Sequence, residues 1–329
     1  MILSVWLPLL LPLLVVPLAA IGAVRALPDR LHPRAAVWAL TATAVGLAAA
    51  GCAALGLLAG SALLHLPWIA ALGHISLPLV DAMAPEAVVP IGAAAGLLLA
   101  GVLASGLRTL RRQLRELAAA RRLAERHGSH GDLVVLPDSA PDAYALPGAP
   151  GRVVISDGML RALAPAEREV LLAHERAHLA CRHHLFLSLA ELAAAVHPLL
   201  RPLRDAVRYS VERWADECAA AAVRDRRLTA RAIGRAALAG SRAPARAGRR
   251  GRPAVVPAAA SGSVPRRVGA LLGGDAARAA GVAPRRRGAL IAMLLAAVLT
   301  TSLGATLDAA HDLHHQVEVA QAESHLPRS

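Results

Sequence analysis

The chain has no lysine, few aromatic residues and few cysteines. Aromatic side chains make up 2% of its 329 residues, which leaves little for the stacking by which proteins hold single-stranded nucleic acid. The three cysteines, Cys52, Cys181 and Cys218, lie far apart and form no CxxC pair, so neither a disulfide framework nor a cysteine zinc site is predicted. Despite a net charge of +13, we therefore expect no direct binding of nucleic acid.

Apolar residues dominate instead, and 56% of the chain is hydrophobic. A helix needs about 20 apolar residues to cross a hydrocarbon core about 30 Å thick. Runs of sufficient length occur at about residues 1–24, 35–64, 87–107 and 288–307. The sequence predicts a multi-pass α-helical membrane protein in contact with a lipid bilayer.

Arginine is unevenly distributed around these runs. The loop after the first run carries Arg25, Arg30 and Arg34, whereas the loop over residues 65–86 has no arginine. The positive-inside rule places the first of these loops in the cytoplasm. At a bacterial plasma membrane, both termini would then lie outside and everything between the third and fourth spans would be cytoplasmic.

The cytoplasmic part divides by composition into three segments. Residues 108–129 are rich in arginine and predict a basic helix beside the lipid headgroups. Residues 130–240 contain the β-type runs DLVVLP, AYALP and RVVIS and then helical patterns, which are typical of a folded α+β domain. Residues 241–287 hold eleven arginines among Pro, Gly and Ala and favour a flexible linker. After the fourth span, residues 308–329 would form a short external tail.

The sequence HERAH, residues 174–178, lies on a predicted helix of the folded domain. His174 and His178 are four residues apart, so they face the same side of a helix and can bind one metal ion. Glu175 can take a proton from a water molecule beside that metal. This pattern favours a zinc site that hydrolyses peptide bonds.

Zinc needs a third protein ligand, and His184 is the first candidate. It would complete the pattern HExxHxxGxxH, but Cys181 stands where a glycine must break the helix. On an unbroken helix His184 points about 80° away from His174, and His183 points further away still. Both are therefore interpreted as helix-surface or interfacial residues.

The second candidate is Glu212, in the sequence VERWADE. Asp216 follows it by four residues, so both carboxylates face one side of a predicted helix. One can bind the metal while the other accepts a hydrogen bond from a ligand imidazole. Beside HExxH, this arrangement favours Glu212 as the third ligand.

HExxH followed by ExxxD, preceded by PGRVVISDGMLRALAPAEREVLLAHERAH and flanked by apolar spans, resembles the BlaR/MecR-type integral-membrane metallopeptidases, relatives of HtpX and the CAAX endopeptidases. The resemblance implies a zincin-like α+β peptidase domain of the gluzincin type, inserted between the third and fourth spans. His174, His178 and Glu212 would bind Zn2+, Glu175 would be the general base, and Asp216 would contact His174. The chain departs from these transducers after the fourth span, where they carry a β-lactam sensor domain.

The resemblance also predicts residues that contact the substrate. DAYALP occupies the place of the edge strand on which these families bind extended peptides, which assigns Tyr144, Ala145 and Leu146 to substrate binding. Apart from the resemblance, the oxyanion needs a second donor beside zinc, which Arg208 or Arg213 could supply. Cys181 is interpreted as a small buried thiol.

The function implied is that of a membrane-anchored zinc endopeptidase cleaving a cytoplasmic protein. We expect this partner to be a winged-helix transcriptional repressor in a signalling pathway. An HtpX-like protease of membrane-protein quality control and a non-catalytic membrane scaffold are the alternatives. The complete motif set speaks against the scaffold, whereas both proteases would share every catalytic residue.

Overall fold

The computed structural model describes residues 31–72, 87–126, 129–242, 264–279 and 285–324, together with the single positions 13, 17, 74 and 78. The helices are α1 (Pro33–Leu63), α2 (Pro67–Leu72), α3 (Val88–Arg126), α4 (Asp157–Ala162), α5 (Pro165–Ala180), α6 (His183–Val196), α7 (Arg201–Val223), α8 (Arg226–Arg242), α9 (Val264–Ala279) and α10 (Arg285–Ser324). The strands are β1 (Ser129–His130), β2 (Leu133–Leu136), β3 (Ala143–Leu146) and β4 (Arg152–Ser156). The first predicted span, residues 1–24, lies outside the described residues except at positions 13 and 17.

Two helices of the described part of the chain, α1 and α3, are long and apolar enough to cross a membrane. They coincide with the second and third predicted spans, and α3 continues unbroken through the arginine-rich stretch that follows. A Cβ atom at Gly92 would overlap the Cβ of Ala62 and the carbonyl oxygen of Leu58. The missing side chain at Gly92 therefore allows α1 and α3 to approach closely.

The fourth predicted span, residues 288–307, lies within α10, which runs without a break to Ser324. Residues 308–324 therefore extend the same helix instead of forming a separate tail. Helix α10 packs along α1, where the Leu299 side chain covers Gly46 and Ala309 lies beside Ala54. That α10 crosses the membrane, and that both termini lie outside, stay predictions.

Helix α1, which is long and apolar enough to cross a membrane, also contributes to the core of the folded domain. Leu40 and Leu47 of α1 are fully buried in one apolar cluster with Phe186 of α6 and Leu203 of α7. Helix α6, which contains most of the apolar stretch after HERAH, is thus part of this core.

The four strands form one sheet in the order β1-β2-β4-β3. Strands β2 and β4 are parallel, and the other two neighbouring pairs are antiparallel. The predicted strands in DLVVLP, AYALP and RVVIS are confirmed as β2, β3 and β4. β4 is central, whereas β3 is an edge strand and packs against α5.

The helix that carries HERAH does not continue to His184. Helix α5 ends at Ala180, and α6 begins at His183 after a bend of 64°. Arg182 has a φ of 52°, a left-handed conformation that residues other than glycine rarely adopt. The expectation of an unbroken helix is therefore wrong. Taken together, α5 and α6 are also long and apolar enough to form one broken membrane span.

The predicted linker contains a helix. Residues Val264–Ala279 form α9, although arginine, proline and glycine dominate the composition of residues 241–287. Val264, Val268 and Leu271 follow the spacing of one helix face and pack against Ile233 of α8. The prediction of a flexible linker is therefore wrong for residues 264–279. The overall composition of residues 241–287 does not reveal the three apolar residues that share one face of α9.

Helix α9 is also held by polar contacts. Arg226, at the start of α8, donates a hydrogen bond of 2.9 Å to the carbonyl oxygen of Leu271. The same guanidinium pairs with Glu217 of α7 at 2.6 Å. Helices α7, α8 and α9 thus form one packed unit.

The packing at Gly92 is testable by a matched pair of substitutions. We expect Gly92→Leu to lower the free energy of unfolding by about 1–3 kcal/mol, because the new side chain would force α1 and α3 apart. Gly101→Leu is the control, because nothing described lies within 4 Å of a Cβ at that position on the same helix. Thermal unfolding in detergent, followed by circular dichroism, measures both variants. Equal melting temperatures for the two would contradict the packing described.

Candidate metal centre

Helix α5 presents the motif residues on its buried side. Pro165 stands in its first turn, and Glu167 accepts a hydrogen bond of 3.0 Å from the amide of Ala164. Glu167 therefore caps the N-terminus of α5, although Ala164 has no polar side chain to act as an N-cap. The four-residue spacing leaves the Nε2 atoms of His174 and His178 3.1 Å apart.

Helix α7 brings a carboxylate to these two imidazoles. The Nε2 atom of His174 lies 3.7 Å from Oε2 of Glu212, and the Nε2 atom of His178 lies 3.7 Å from Oε1. The three residues each offer a ligand atom, and these atoms all lie within 4.8 Å of one another. His184 is not part of this group, so the geometry favours Glu212 as the third ligand.

Asp216 lies one turn further along α7 and contacts the other side of the His174 ring. Its Oδ1 atom is 3.0 Å from Nδ1 of His174. A carboxylate at this nitrogen fixes the orientation of a ligand imidazole and leaves Nε2 free to face a metal ion. This contact agrees with the role predicted for Asp216.

The residues present fit a zinc ion. Two imidazoles and one carboxylate are the donor set of many catalytic zinc sites, in which the fourth position stays open. Oε1 of Glu212 is buried and accepts no hydrogen bond from the described residues. A cation between Glu212 and the two histidines would satisfy this oxygen.

A buried arginine from α9 completes the group. The Nε and Nη2 atoms of Arg267 contact the two oxygens of Asp216 at 2.7 and 2.6 Å. Its Nη1 atom lies 2.7 Å from Oε2 of Glu212. One guanidinium therefore contacts both carboxylates that α7 contributes.

These neighbours shift the pKa values of the ligands in opposite directions. Burial alone would lower the pKa of His174, but the nearby carboxylates of Asp216 and Glu212 raise it to about 10. Burial and the charge of His174 hold the pKa of His178 well below its usual value. Burial would raise the pKa of Glu212, yet the charge of Arg267 helps lower it to about 2. The pocket therefore favours a cation, and a metal ion competes with the proton on His174.

His183 is fully buried, contrary to the expectation of a helix-surface or interfacial residue. The chain reversal at Arg182 turns it back towards the metal group, and its Nδ1 atom lies 2.8 Å from Nδ1 of His178. Its ring packs on Trp214, with the centroids 4.7 Å apart. Burial lowers the pKa of His183 to about 4, so a neutral imidazole orients His178.

The residues predicted to contact substrate lie in different places. Tyr144, Ala145 and Leu146 form the edge strand β3 and are buried, and the side chains of Tyr144 and Leu146 pack with Ala120 and Ala124 of α3. Arg208 instead donates a hydrogen bond of 3.2 Å to Glu191 of α6 on an exposed surface. The backbone of β3 thus lies beside α5, the helix that carries HERAH. Arg208 pairs with Glu191 and is not part of the metal group.

Sequence reasoning missed two residues of the site. Arg267 is one of eleven arginines in a biased segment, and nothing local distinguishes it from the others. His183 could have been found from the apolar period of α6, which places it on the same face as Phe186 and Leu187, both buried. The expectation that one unbroken helix runs through His183 placed this residue on the wrong face.

Comparison with known families gives one match. Residues 106–200 match the model for Peptidase family M48. This segment contains His174, Glu175 and His178 and ends before Glu212. No curated protein and no solved structure matched the chain. The match supports the M48 metallopeptidase family and leaves the BlaR/MecR subfamily unassigned.

The choice of third ligand is testable through zinc content. We expect Glu212→Ala to lose most of its bound zinc, because it removes a carboxylate that faces both histidines. His184→Ala should keep its zinc, because His184 lies outside the group. Zinc per chain is measured by inductively coupled plasma mass spectrometry on detergent-purified protein. Loss of zinc from His184→Ala with retention in Glu212→Ala would make His184 the ligand.

Proposed function

We propose that this chain, which matches Peptidase family M48 over residues 106–200, is a membrane-associated zinc endopeptidase that cleaves a protein on the cytoplasmic side. One observation carries the proposal. Two imidazoles of α5 and a carboxylate of α7 converge in a buried group, and Glu175 adjoins the first ligand on α5. HExxH with a carboxylate third ligand is the constellation of peptide-hydrolysing zinc sites.

Glu175 acts as the general base in this proposal. It takes a proton from the attacking water and passes it to the leaving amine, which makes the amine a better leaving group. Zinc, when bound, supplies a Lewis acid for the peptide carbonyl and for that water. Asp216 and His183 hold the rings of His174 and His178, respectively, in the orientation that this chemistry needs.

The route by which a substrate reaches the site depends on the burial of the metal group and on the edge strand β3. His174, Glu175 and Glu212 are each 4% exposed, so little of the metal group is open to a peptide in this structure. Strand β3 is the edge of the sheet nearest to α5, and an extended peptide can add to such an edge through backbone hydrogen bonds. This geometry supports substrate binding along Tyr144, Ala145 and Leu146.

The side of the membrane and the substrate class rest on sequence. The arginine-rich loop between the first two predicted spans supports a cytoplasmic location for the peptidase domain. We favour a soluble winged-helix repressor as the substrate, by resemblance to BlaR/MecR-type proteins. Cleavage of a repressor would link the membrane to transcription.

A second candidate function has one structural observation in its favour. Helices α6 and α7 pack directly on α1, so the metal centre lies close to a helix that is apolar enough to span a membrane. A protease that removes damaged membrane proteins would benefit from this proximity. It would use the same metal ligands and the same base.

Glu175→Gln separates these functions when it is used as a substrate trap. We expect this variant to keep its zinc and lose hydrolysis, because the amide cannot accept the proton while the ligands are intact. Crosslinking in cells followed by mass spectrometry identifies the trapped proteins, with His184→Ala as an active control. A trapped repressor that only active protein cleaves would support signalling.

Two other outcomes of the trap would be decisive. Enrichment of assorted unfolded membrane proteins without a repressor would contradict the signalling function and support quality control. Hydrolysis that survives in Glu175→Gln would contradict the role of Glu175.

A further inference from the structure

Arg267 reaches the metal group from a helix that contributes no metal ligand. Its side chain is 1% exposed, although it lies in an arginine-rich segment beyond the part of the chain that matches the family. Its three contacts, all shorter than 3 Å, join Glu212, which faces both histidines, to Asp216, which holds His174. The guanidinium therefore bridges the two carboxylates that organise the centre.

The charges of the group require such a cation. Glu175, Glu212 and Asp216 are all buried, and as carboxylates they carry three negative charges. A zinc ion and Arg267 together supply three positive charges when both ligand imidazoles are neutral. Because an uncompensated buried charge is strongly unfavourable, the three carboxylates need the positive charge that Arg267 brings when α9 is docked.

Arg267 does not compete with the metal for Glu212. The guanidinium lies beside Oε2, at 2.7 Å from Nη1, whereas Oε1 lies 3.7 Å from the Nε2 atom of His178 on the side of the two imidazoles. Neither oxygen of Glu212 has a hydrogen-bond partner among the described residues. Glu212 can therefore bind a metal ion through Oε1 while Arg267 fixes the other oxygen. The planar fork of an arginine suits this double contact, since it presents several donors in fixed directions.

We propose that Arg267 is a positioning residue, through which the docking of α9 on α7 and α8 sets the zinc affinity of the centre. The inference rests on the proposed zinc site. Helix α9 also makes contacts away from the metal group. Leu271 packs in the apolar cluster with α8, and its carbonyl oxygen accepts a hydrogen bond from Arg226. These contacts hold α9 against α8 independently of Arg267.

A charge-conserving substitution tests the positioning role. Lysine at 267 keeps the positive charge, but one ammonium cannot reproduce the fork that spans both carboxylates. We expect Arg267→Lys to raise the zinc dissociation constant about 10- to 100-fold, the usual effect of losing a residue that orients a ligand. Arg266→Lys is the matched control, because Arg266 precedes it on α9 and lies 4.4 Å over the ring of Tyr209. This control should keep the wild-type dissociation constant.

Chelator competition with full-length protein in detergent measures these constants, and the melting temperature of each zinc-free variant reports its folding. A dissociation constant for Arg267→Lys equal to that of Arg266→Lys would overturn the positioning role, whatever the melting temperatures show. If the wild type binds no zinc, the proposed function fails, and the inference fails with it. If the wild type binds zinc and the two variants have equal zinc dissociation constants, the positioning role of Arg267 is overturned but the proposed function is not.

Hydrogen exchange on the wild type provides a test that does not depend on the folding of a variant. If docking of α9 raises zinc affinity, zinc must strengthen docking by the same factor. We expect zinc to slow amide exchange over residues 264–279 in the wild type and in Arg266→Lys. In Arg267→Lys, zinc should slow exchange only in α5 and α7. Exchange over residues 264–279 that is identical with and without zinc in the wild type would overturn the proposal.

Discussion

Three carboxylates buried in one small group set the constraint on which the centre depends. Glu175, Glu212 and Asp216 can stay ionised away from water only if cations lie among them. Arg267 supplies one positive charge from α9, and the histidine pair provides the place for a metal ion. The need for balanced charge therefore links helices α5, α7 and α9, which the sequence separates by up to about a hundred residues.

The few aromatic side chains of the chain connect this centre to α1, a helix long and apolar enough to cross a membrane. Trp38 of α1 packs edge-on against Phe186 of α6, with the centroids 4.9 Å apart. Arg34, in the first turn of α1, lies 5.8 Å from the ring of Trp214, which in turn packs on His183. Since His183 contacts a metal ligand, a continuous series of packed side chains joins the start of α1 to the site. The peptidase helices and α1 are thus parts of one core.

The sequence predicts the chemistry of the site better than its surroundings. The four-residue spacings in HExxH and ExxxD place side chains on one helix face regardless of tertiary context, so His174, His178, Glu212 and Asp216 could be grouped in advance. The strands were equally predictable from short β-type runs bounded by turn residues. The break at Arg182 was not, because its left-handed backbone is stabilised by tertiary packing that no local pattern reveals. The pairing of Arg267 with Asp216 was hidden for the same reason, since it spans 51 residues of sequence.

X-ray absorption spectroscopy at the zinc edge tests most directly the central claim, that His174, His178 and Glu212 bind zinc. The account predicts two imidazoles among first-neighbour nitrogen and oxygen atoms at about 2.0–2.2 Å, with no sulfur. A sulfur neighbour at about 2.3 Å would contradict it, because a cysteine would then be a ligand. A third imidazole would contradict it as well, because Glu212 would not hold the position assigned to it here.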